Sequence, residues 1–232
     1  PTSLRTRRAS LVSLGLLGAL AVATATLPIG QAPAAPRAPS RLSGASILAD
    51  DPPAPCVGPL GVDPSSAVGD LLSLAVVDGR PAVAYVDGGS ASLKYVRASD
   101  AHGRAWGTPI TLDSAAGAMV HPSLVIVGGV PAVAYARFGG PTHEVRFVHA
   151  SDAQGAAWGA PAVAVAGAVP VTPALAAVAG NPAIAYWDRT ADDVIYVRAT
   201  NPEGTTWSAP VVVDAGGDTG GTVALALVDG RP

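Results

Sequence analysis

Six residues of this chain that could bind a polar ligand fall in two short polar stretches. They are Arg137, His143, Glu144, Trp187, Asp188 and Arg189. An arginine can bind a carboxylate through two parallel hydrogen bonds, and a tryptophan offers a flat apolar face together with one N–H donor. The apolar residues around the two stretches recur along the chain, and departure from that repeat motivates the choice: Trp187, for example, stands where Val86 and Ala136 stand in the other units. We therefore predict that the six residues form a ligand-binding site; the alternative is that they are ordinary solvated loop residues.

No catalytic or metal-binding set can be assembled from residue spacing. The histidines His121, His143 and His149 lack the spacing of metal ligands. The acidic runs Asp192-Asp193 and 214–218 lack the alternating pattern of a calcium-binding loop. No glycine-rich run links a strand pattern to a helix pattern, so a phosphate-binding loop is not indicated. We expect no metal and no cofactor, and the sequence identifies no catalytic residue.

The charge distribution argues against one class of partner. The chain has 14 Lys and Arg residues against 17 Asp and Glu residues, and no cluster of Lys or Arg follows residue 8. Binding to a phosphate backbone needs a clustered positive field. We therefore expect no nucleic-acid partner.

The N-terminal residues have the pattern of an export signal. Three arginines in the first eight residues precede an uncharged apolar run over 11–27, and small residues at 32–34 offer a cleavage site. The pattern predicts a signal peptide over 1–34, a secreted or cell-surface protein, and no membrane span in the mature chain. An uncleaved membrane anchor is the alternative. The proline- and alanine-rich stretch 35–55 is predicted to be a linker.

The elements that must position the six residues recur about every 50 residues. Tyr85, Tyr135 and Tyr186 keep this spacing. The last residues, 227–232, copy 76–81 with small changes, so a fourth unit begins at the end of the sequence. A period of this length indicates a repeat architecture.

Each unit contains four strand-like runs separated by turn residues. In the first unit the runs are Leu72–Val77, Ala82–Val86, Leu93–Ala98 and Trp106–Leu112. Asp78-Gly79, between the first two runs, is a hairpin signal. The fourth run contains Pro109, which cannot donate to a ladder, so it is expected at a sheet edge. The corresponding later runs are Leu124–Val127, Ala132–Ala136, Val145–Ala150, Trp158–Val165, Leu175–Val178, Ala183–Trp187, Val194–Ala199, Trp207–Val213 and Val223–Val228.

Four antiparallel strands in a unit of this length are typical of a β-propeller blade. We predict an all-β fold in which 56–232 is an incomplete arc of a β-propeller of four-stranded blades. The approximate blades, and the start of a fourth, are 70–113, 121–166, 173–214 and 222–232. Residues 56–63 align with the fourth strand of the first unit and are expected to be an outer strand, with Cys56 a small filler at the tryptophan position. A β-sandwich and a β-solenoid are the alternatives.

The turn before each fourth run carries a family resemblance. It resembles the Asp-box, or BNR repeat, of sialidase-type β-propellers, whose pattern is Ser-x-Asp-x-Gly-x-Thr-Trp. The matching residues singled out here are Ser99, Gly103, Trp106, Ser151, Gly155, Trp158, Gly204 and Trp207. Asp100 and Asp152 stand one place earlier than the family aspartate. The resemblance implies that these are structural turn and core residues. The chain also resembles bacterial exported repeat proteins with runs such as Pro-Ala-Val-Ala-Tyr.

Three hypotheses about function follow from these patterns. The first is a non-catalytic exported module that binds a glycan or a cell-surface protein through the six loop residues. The second is a sialidase-type glycoside hydrolase, for which the resemblance implies three arginines, an acid/base aspartate and a tyrosine–glutamate pair. The family's Arg-Ile-Pro motif does not occur in this sequence, so most of that set would lie outside it. The third is a structural spacer in a surface protein. We favour the first and regard an enzymatic role as undecided.

Overall fold

The computed structural model of the chain describes residues 61–63, 68–114, 117–139, 142–217 and 221–232. The predicted signal peptide, the predicted linker and Cys56 therefore lie outside the described residues. In the described part of the chain, no helix is long and apolar enough to cross a membrane.

Twelve strands in the described residues form three antiparallel sheets of four consecutive strands each. The first sheet is β1 (Val68–Val77), β2 (Arg80–Asp87), β3 (Ser92–Arg97) and β4 (Ile110–Asp113). The second sheet is β5 (Ala118–Val127), β6 (Val130–Phe138), β7 (Glu144–His149) and β8 (Ala162–Ala166). The third sheet is β9 (Pro170–Val178), β10 (Asn181–Asp188), β11 (Asp193–Arg198) and β12 (Val211–Asp214). The prediction of an all-β chain built from units of four antiparallel strands is thereby confirmed.

Two-residue turns connect the first two strands of every sheet. In the β1–β2 turn, Asp78 has φ 46° and Gly79 has φ 71°. Ala179 and Gly180 show φ 46° and 82° in the β9–β10 turn. Positive φ at both central positions is the type I′ geometry, whose twist matches that of the flanking strands. The Arg97 guanidinium supports the first turn by donating to the Val77 carbonyl at 2.9 Å.

The hydrophobic core lies between successive sheets. Leu124, Val133 and Tyr135 of the second sheet are buried against the first sheet. Phe147 of the second sheet and Ile184 of the third are buried in the next layer. Many core residues are alanine and valine, and such small side chains bury well only where two sheets approach closely.

Side-chain hydroxyls join the first strands of neighbouring sheets. Ser73 Oγ on β1 accepts a hydrogen bond from the Leu124 amide on β5 at 2.9 Å. Ser123 Oγ on β5 accepts one from the Leu175 amide on β9 at 3.0 Å. The first strands therefore lie side by side, and each sheet packs against the next in chain order. This arrangement is consistent with a propeller-like fold.

The fourth strands are shorter than the sequence pattern predicted. They begin directly after Pro109, Pro161 and Pro210, rather than at the tryptophans. The predicted bounds Trp106–Leu112, Trp158–Val165 and Trp207–Val213 were therefore wrong at their N-terminal ends. Each tryptophan instead forms an isolated bridge, such as Trp106 to Ala98. Proline has no N–H for the ladder, so regular pairing starts only beyond it.

The predicted strand Val223–Val228 is also corrected. Residues 222–227 have no regular secondary structure, and Val228 forms only an isolated bridge with Arg231 across the Asp229-Gly230 turn. A strand needs a partner ladder, and this segment has none among the described residues. The local turn forms even so, because its geometry depends on the residues at the turn.

Candidate functional site

In the first two sheets, the turn before the fourth strand is organised by the aspartate that stands one place early in the Asp-box pattern; Asn201 takes that place in the third sheet. Asp152 Oδ1 accepts hydrogen bonds from the amides of Gln154 at 2.9 Å and Ala156 at 3.1 Å, and Oδ2 accepts one from Ala157 at 2.8 Å. These bonds hold the pKa of Asp152 below its usual value, and the bond from the Ala156 amide has the largest effect. Asp100 accepts three amides in the same way. The carboxylates are therefore engaged by their own turns.

The tryptophans after these turns pack between sheets. The Trp158 ring lies 4.9 Å from the Tyr95 ring of the preceding sheet, measured between centroids. Trp207 lies 5.5 Å from Phe147 of its preceding sheet in an edge contact. Trp158 Nε1 also donates to the Gly155 carbonyl at 2.8 Å. A half-buried indole held on both sides in this way has a packing role and leaves little surface for a ligand.

Buried charges link the first and second sheets. Asp113, at the end of β4, is only 8% exposed. It accepts a hydrogen bond from the Tyr135 hydroxyl and an ion-paired bond from Arg146 Nη1 at 3.1 Å. Arg146 Nε donates to Glu144 at 2.8 Å. Burial, and then the hydrogen bond to Asp113, raises the pKa of Tyr135.

The same three-residue arrangement recurs on the first sheet. Tyr85 donates to Asp63 at 2.5 Å, and Lys94 Nζ lies 3.4 Å from Asp63 and 2.6 Å from Asp87. The pKa of Asp87 is lowered chiefly by the hydrogen bond that Asp87 accepts from Lys94, and secondly by the one it accepts from Ser90. Asp63 thus has the relation to the first sheet that Asp113 has to the second.

The third sheet lacks both charged members of this arrangement. Tyr186 pairs with Ile195, whereas Tyr85 pairs with Lys94 and Tyr135 pairs with Arg146. Val165 takes the place of the aspartate at the end of the preceding fourth strand. The aspartate and the positively charged residue are therefore both absent from the third sheet, as expected for two groups that stabilise each other across a sheet interface. We call each tyrosine–aspartate–cation set a charged tie.

Sequence reasoning missed the charged ties. A signal was present, because Asp63 and Asp113 recur at one position of the repeat and Val165 breaks the recurrence together with Ile195. Recognising this signal required knowing that the fourth strand of one unit ends beside the second and third strands of the next unit.

The first group of predicted binding residues lies on the β6–β7 hairpin. Arg137 and Glu144 are paired across the hairpin, with Arg137 Nη1 3.8 Å from Glu144 Oε2. Arg137 is 8% exposed, and its Nε has no hydrogen-bond partner in the described part of the chain. His143 instead packs against Phe138, with ring centroids 5.2 Å apart. Neighbouring strand residues point to opposite faces, so Arg137 and His143 do not converge on one ligand.

Residues of the second group lie at the β10–β11 turn. Trp187 is half-buried, and its Nε1 donates to Asp192 at 3.0 Å. Asp188 Oδ1 accepts from the amides of Val169 at 3.2 Å and Thr190 at 2.9 Å, so this side chain shapes the loop. Of the six predicted residues, Arg189 is exposed, whereas Trp187 is half-buried with its N–H engaged. The six predicted residues fall on two hairpins of two sheets.

Two cavities lie away from these hairpins. One, of about 420 Å³, is bordered by β1, β5, β9 and residues 223–225. The other, of about 410 Å³, lies on the face of the first sheet that carries Leu74, Tyr85 and Trp106. Leu74 is 63% exposed there, whereas the equivalent Leu124 of the second sheet is 4% exposed, because the first sheet covers it. Within the described ranges, no group of three His, Cys, Asp or Glu side chains is arranged to hold a metal ion.

Comparisons with known proteins give a limited result. No protein-family model matches the chain, and no curated protein matches it. A solved structure that it resembles is the sucrose-6-phosphate hydrolase from Lactobacillus gasseri, with 16% sequence identity and a TM-score of 0.39. The similarity covers 64% of this chain and 35% of that one, so the chain spans about a third of the length of the protein it matches.

Proposed function

We propose that this chain is an exported β-propeller arc that acts as a non-catalytic binding module for a glycan or a cell-surface protein. The binding surface is the β10–β11 turn with Trp187 and Arg189, and the β6–β7 hairpin with Arg137 and Glu144 lies on the neighbouring sheet. The observation that carries the proposal is that the five aspartates named next are bonded to other groups of the protein. Asp63, Asp87, Asp113, Asp100 and Asp152 bond to the protein itself, whereas Arg189 is exposed and Trp187 beside it is half-buried.

The chemistry of the β10–β11 turn suits recognition of a sugar. An indole provides an apolar face for the C–H groups of a pyranose ring. Its bond to Asp192 at 3.0 Å holds the ring in one orientation, which reduces the entropy lost on binding. Arg189 adds five N–H donors at the edge of that surface. A peptide side chain with an apolar face and an acidic group could use the same two residues.

The propeller arc is supported by the repeated interface between sheets. Asp63 meets Tyr85 and Lys94 as Asp113 meets Tyr135 and Arg146. The described residues 61–63 have no regular secondary structure. Because Asp63 holds the position of Asp113, we keep the predicted outer strand 56–63 as part of this proposal. A signal peptide over 1–34 and a secreted or cell-surface location remain part of this proposal.

Binding to immobilised glycans tests the function. The full chain is applied to a glycan array, and any positive glycan is then titrated by calorimetry against the parent chain, Trp187→Ala and Arg189→Ala. Arg104→Ala, an exposed arginine on a different turn, is the matched control. We expect Trp187→Ala to weaken binding by about tenfold or more, as loss of an aromatic contact typically does, and Arg104→Ala to leave it unchanged. Binding that is insensitive to both test variants would refute the site.

The hydrolase alternative receives no support from the tyrosines of the charged ties. A tyrosine nucleophile needs an adjacent base and an accessible reacting atom. Burial, followed by the bond to Asp63, raises the pKa of Tyr85, and Tyr135 is fully buried. Turnover of a fluorogenic sialoside by the full chain would decide for the enzyme. A folded chain that binds neither glycans nor cell-surface proteins would leave the spacer hypothesis.

A further inference from the structure

The cleft bordered by the first strands of the three sheets has the size of a small-ligand site. Its volume is about 420 Å³, within the range of about 300 to 1,000 Å³ typical of such sites. None of the six residues predicted from the sequence lines it. The strands that form its wall are joined by hydrogen bonds that the Leu124 and Leu175 amides donate to Ser73 Oγ and Ser123 Oγ, respectively.

All three first strands have a register shift where they border this cleft. In β5 the register jumps between Val120 and Ser123, so His121 and the following proline together oppose one residue of β6. His121 has φ 52°, and Thr172, at the corresponding bulge of β9, has φ 48°. Bulges re-aim side chains, and residues other than glycine with this backbone conformation cluster at functional sites. Both side chains line the cleft.

The repeat does not dictate which residue occupies the bulge. Leu71, His121 and Thr172 hold equivalent places in the three units, counted from the aligned Ser73, Ser123 and Ala174. By contrast, the second strands of all three units carry a tyrosine at one equivalent position: Tyr85, Tyr135 and Tyr186. A residue that is found in one unit only is not needed to form the sheet.

The polar groups of the cleft are uncharged. Among the residues that the structure describes, no Asp, Glu, Lys or Arg lines it. Burial lowers the pKa of His121, so at neutral pH its imidazole is neutral and offers one N–H donor and one lone pair. Ser123 Oγ uses a lone pair to accept from the Leu175 amide, and its hydroxyl hydrogen can still be donated. Leu71 and Pro122 supply apolar surface beside these groups.

We propose that this cleft binds one unit of a neutral, hydroxyl-rich ligand, a sugar residue without carboxylate or phosphate. His121 and Ser123 exchange hydrogen bonds with its hydroxyl groups, and Leu71 and Pro122 contact its C–H face. An anionic sugar would lose the water around its charged group and would find no positively charged side chain among the described residues of the cleft. The inference rests on the proposed glycan-binding function and adds to the β10–β11 surface a second contact, for one sugar unit, at the first strands of the three sheets.

The test titrates the full chain with neutral and anionic sugars. Glucose, galactose, mannose and N-acetylglucosamine are the neutral probes; N-acetylneuraminic acid and glucuronic acid are the anionic ones. The readouts are the imidazole resonances in NMR and the dissociation constant from calorimetry. The variants are His121→Asn and Ser123→Ala, because asparagine tolerates positive φ and keeps the bulge. His102→Asn, which removes an exposed imidazole outside the cleft, is the control, and circular dichroism checks each fold.

We expect at least one neutral sugar to shift the His121 resonances and to bind about tenfold more weakly to His121→Asn, with His102→Asn unchanged. Loss of binding in Trp187→Ala with retention in His121→Asn would overturn this inference and leave the proposed function standing. Binding of only the anionic sugars, or of none of the probes, would also overturn it. Glycan binding on the array in that case would still support the proposed function.

Discussion

Replacing the charged tie of the second sheet by the apolar pair of the third tests how the sheets are held together. Asp113 accepts two charge-assisted hydrogen bonds, from Tyr135 and from Arg146, and is 8% exposed. Such bonds contribute about 1.5–3 kcal/mol each, and breaking a buried ion pair on one side costs about 3–5 kcal/mol. We therefore expect Asp113→Val and Arg146→Ile each to lower the free energy of unfolding by about 3–5 kcal/mol.

The double variant should be much more stable than the sum of the single changes predicts. It reproduces the Val165 and Ile195 combination of the third sheet, where Tyr186 stays buried without the charged partners. Urea unfolding followed by tryptophan fluorescence measures all four members of the cycle. We expect a coupling energy of about 2–3 kcal/mol. Additive effects within about 0.5 kcal/mol, or single variants that cost less than about 1 kcal/mol, would refute the charged tie as an inter-sheet contact.

Two further predictions concern the same interfaces. Gly155 has φ +74°, and a Cβ there would lie 2.8 Å from the Tyr95 ring, so Gly155→Ala should cost about 2–4 kcal/mol through strain and overpacking. Gly180, with φ +82° and no neighbour within 4 Å, is the matched control, and Gly180→Ala should cost only about 1–2 kcal/mol in urea unfolding; equal losses would contradict the contact. Burial raises the pKa of Tyr95 and Tyr186 to about 12. An unfolded tyrosine ionises near pH 10, so the stability these residues contribute is complete below about pH 10 and is lost as the pH rises towards 12. The urea midpoint should fall over that interval and fall less steeply in Tyr186→Phe; an unchanged slope would be evidence against the effect.

Local pattern was sufficient for the elements of each unit. The Asp78-Gly79 turn and the apolar runs beside it depend on neighbouring residues, and both could be predicted. The starts of the first strands could not, because the bulge at His121-Pro122 interrupts the apolar pattern and hides the strand from Ala118 onward. The fourth strands began later than predicted, because Pro109 and its equivalents exclude regular pairing before them.

The candidate site was harder to predict than the fold, since it depends on contacts between units. Arg137 and His143 stand close together in sequence, yet they contact different neighbours, Glu144 and Phe138. Asp188 looked like a binding group, and it caps its own loop. Trp187 and Arg189 remain candidates because neither is required by the repeat. Asp113 and Arg146, 33 residues apart in the chain, meet only when two sheets pack.

The amino-acid sequence by itself determined that the chain is all-β, that its units have four strands and where the tight turns fall, because hydrophobic alternation and turn geometry act over a few residues. Only the tertiary structure decided which charges neutralise each other, which aromatic rings Trp158 and Trp207 contact, and that His121 borders a cleft. Those outcomes depend on which sheet covers which face, and the stacking of one sheet on the next brings together residues about 50 positions apart.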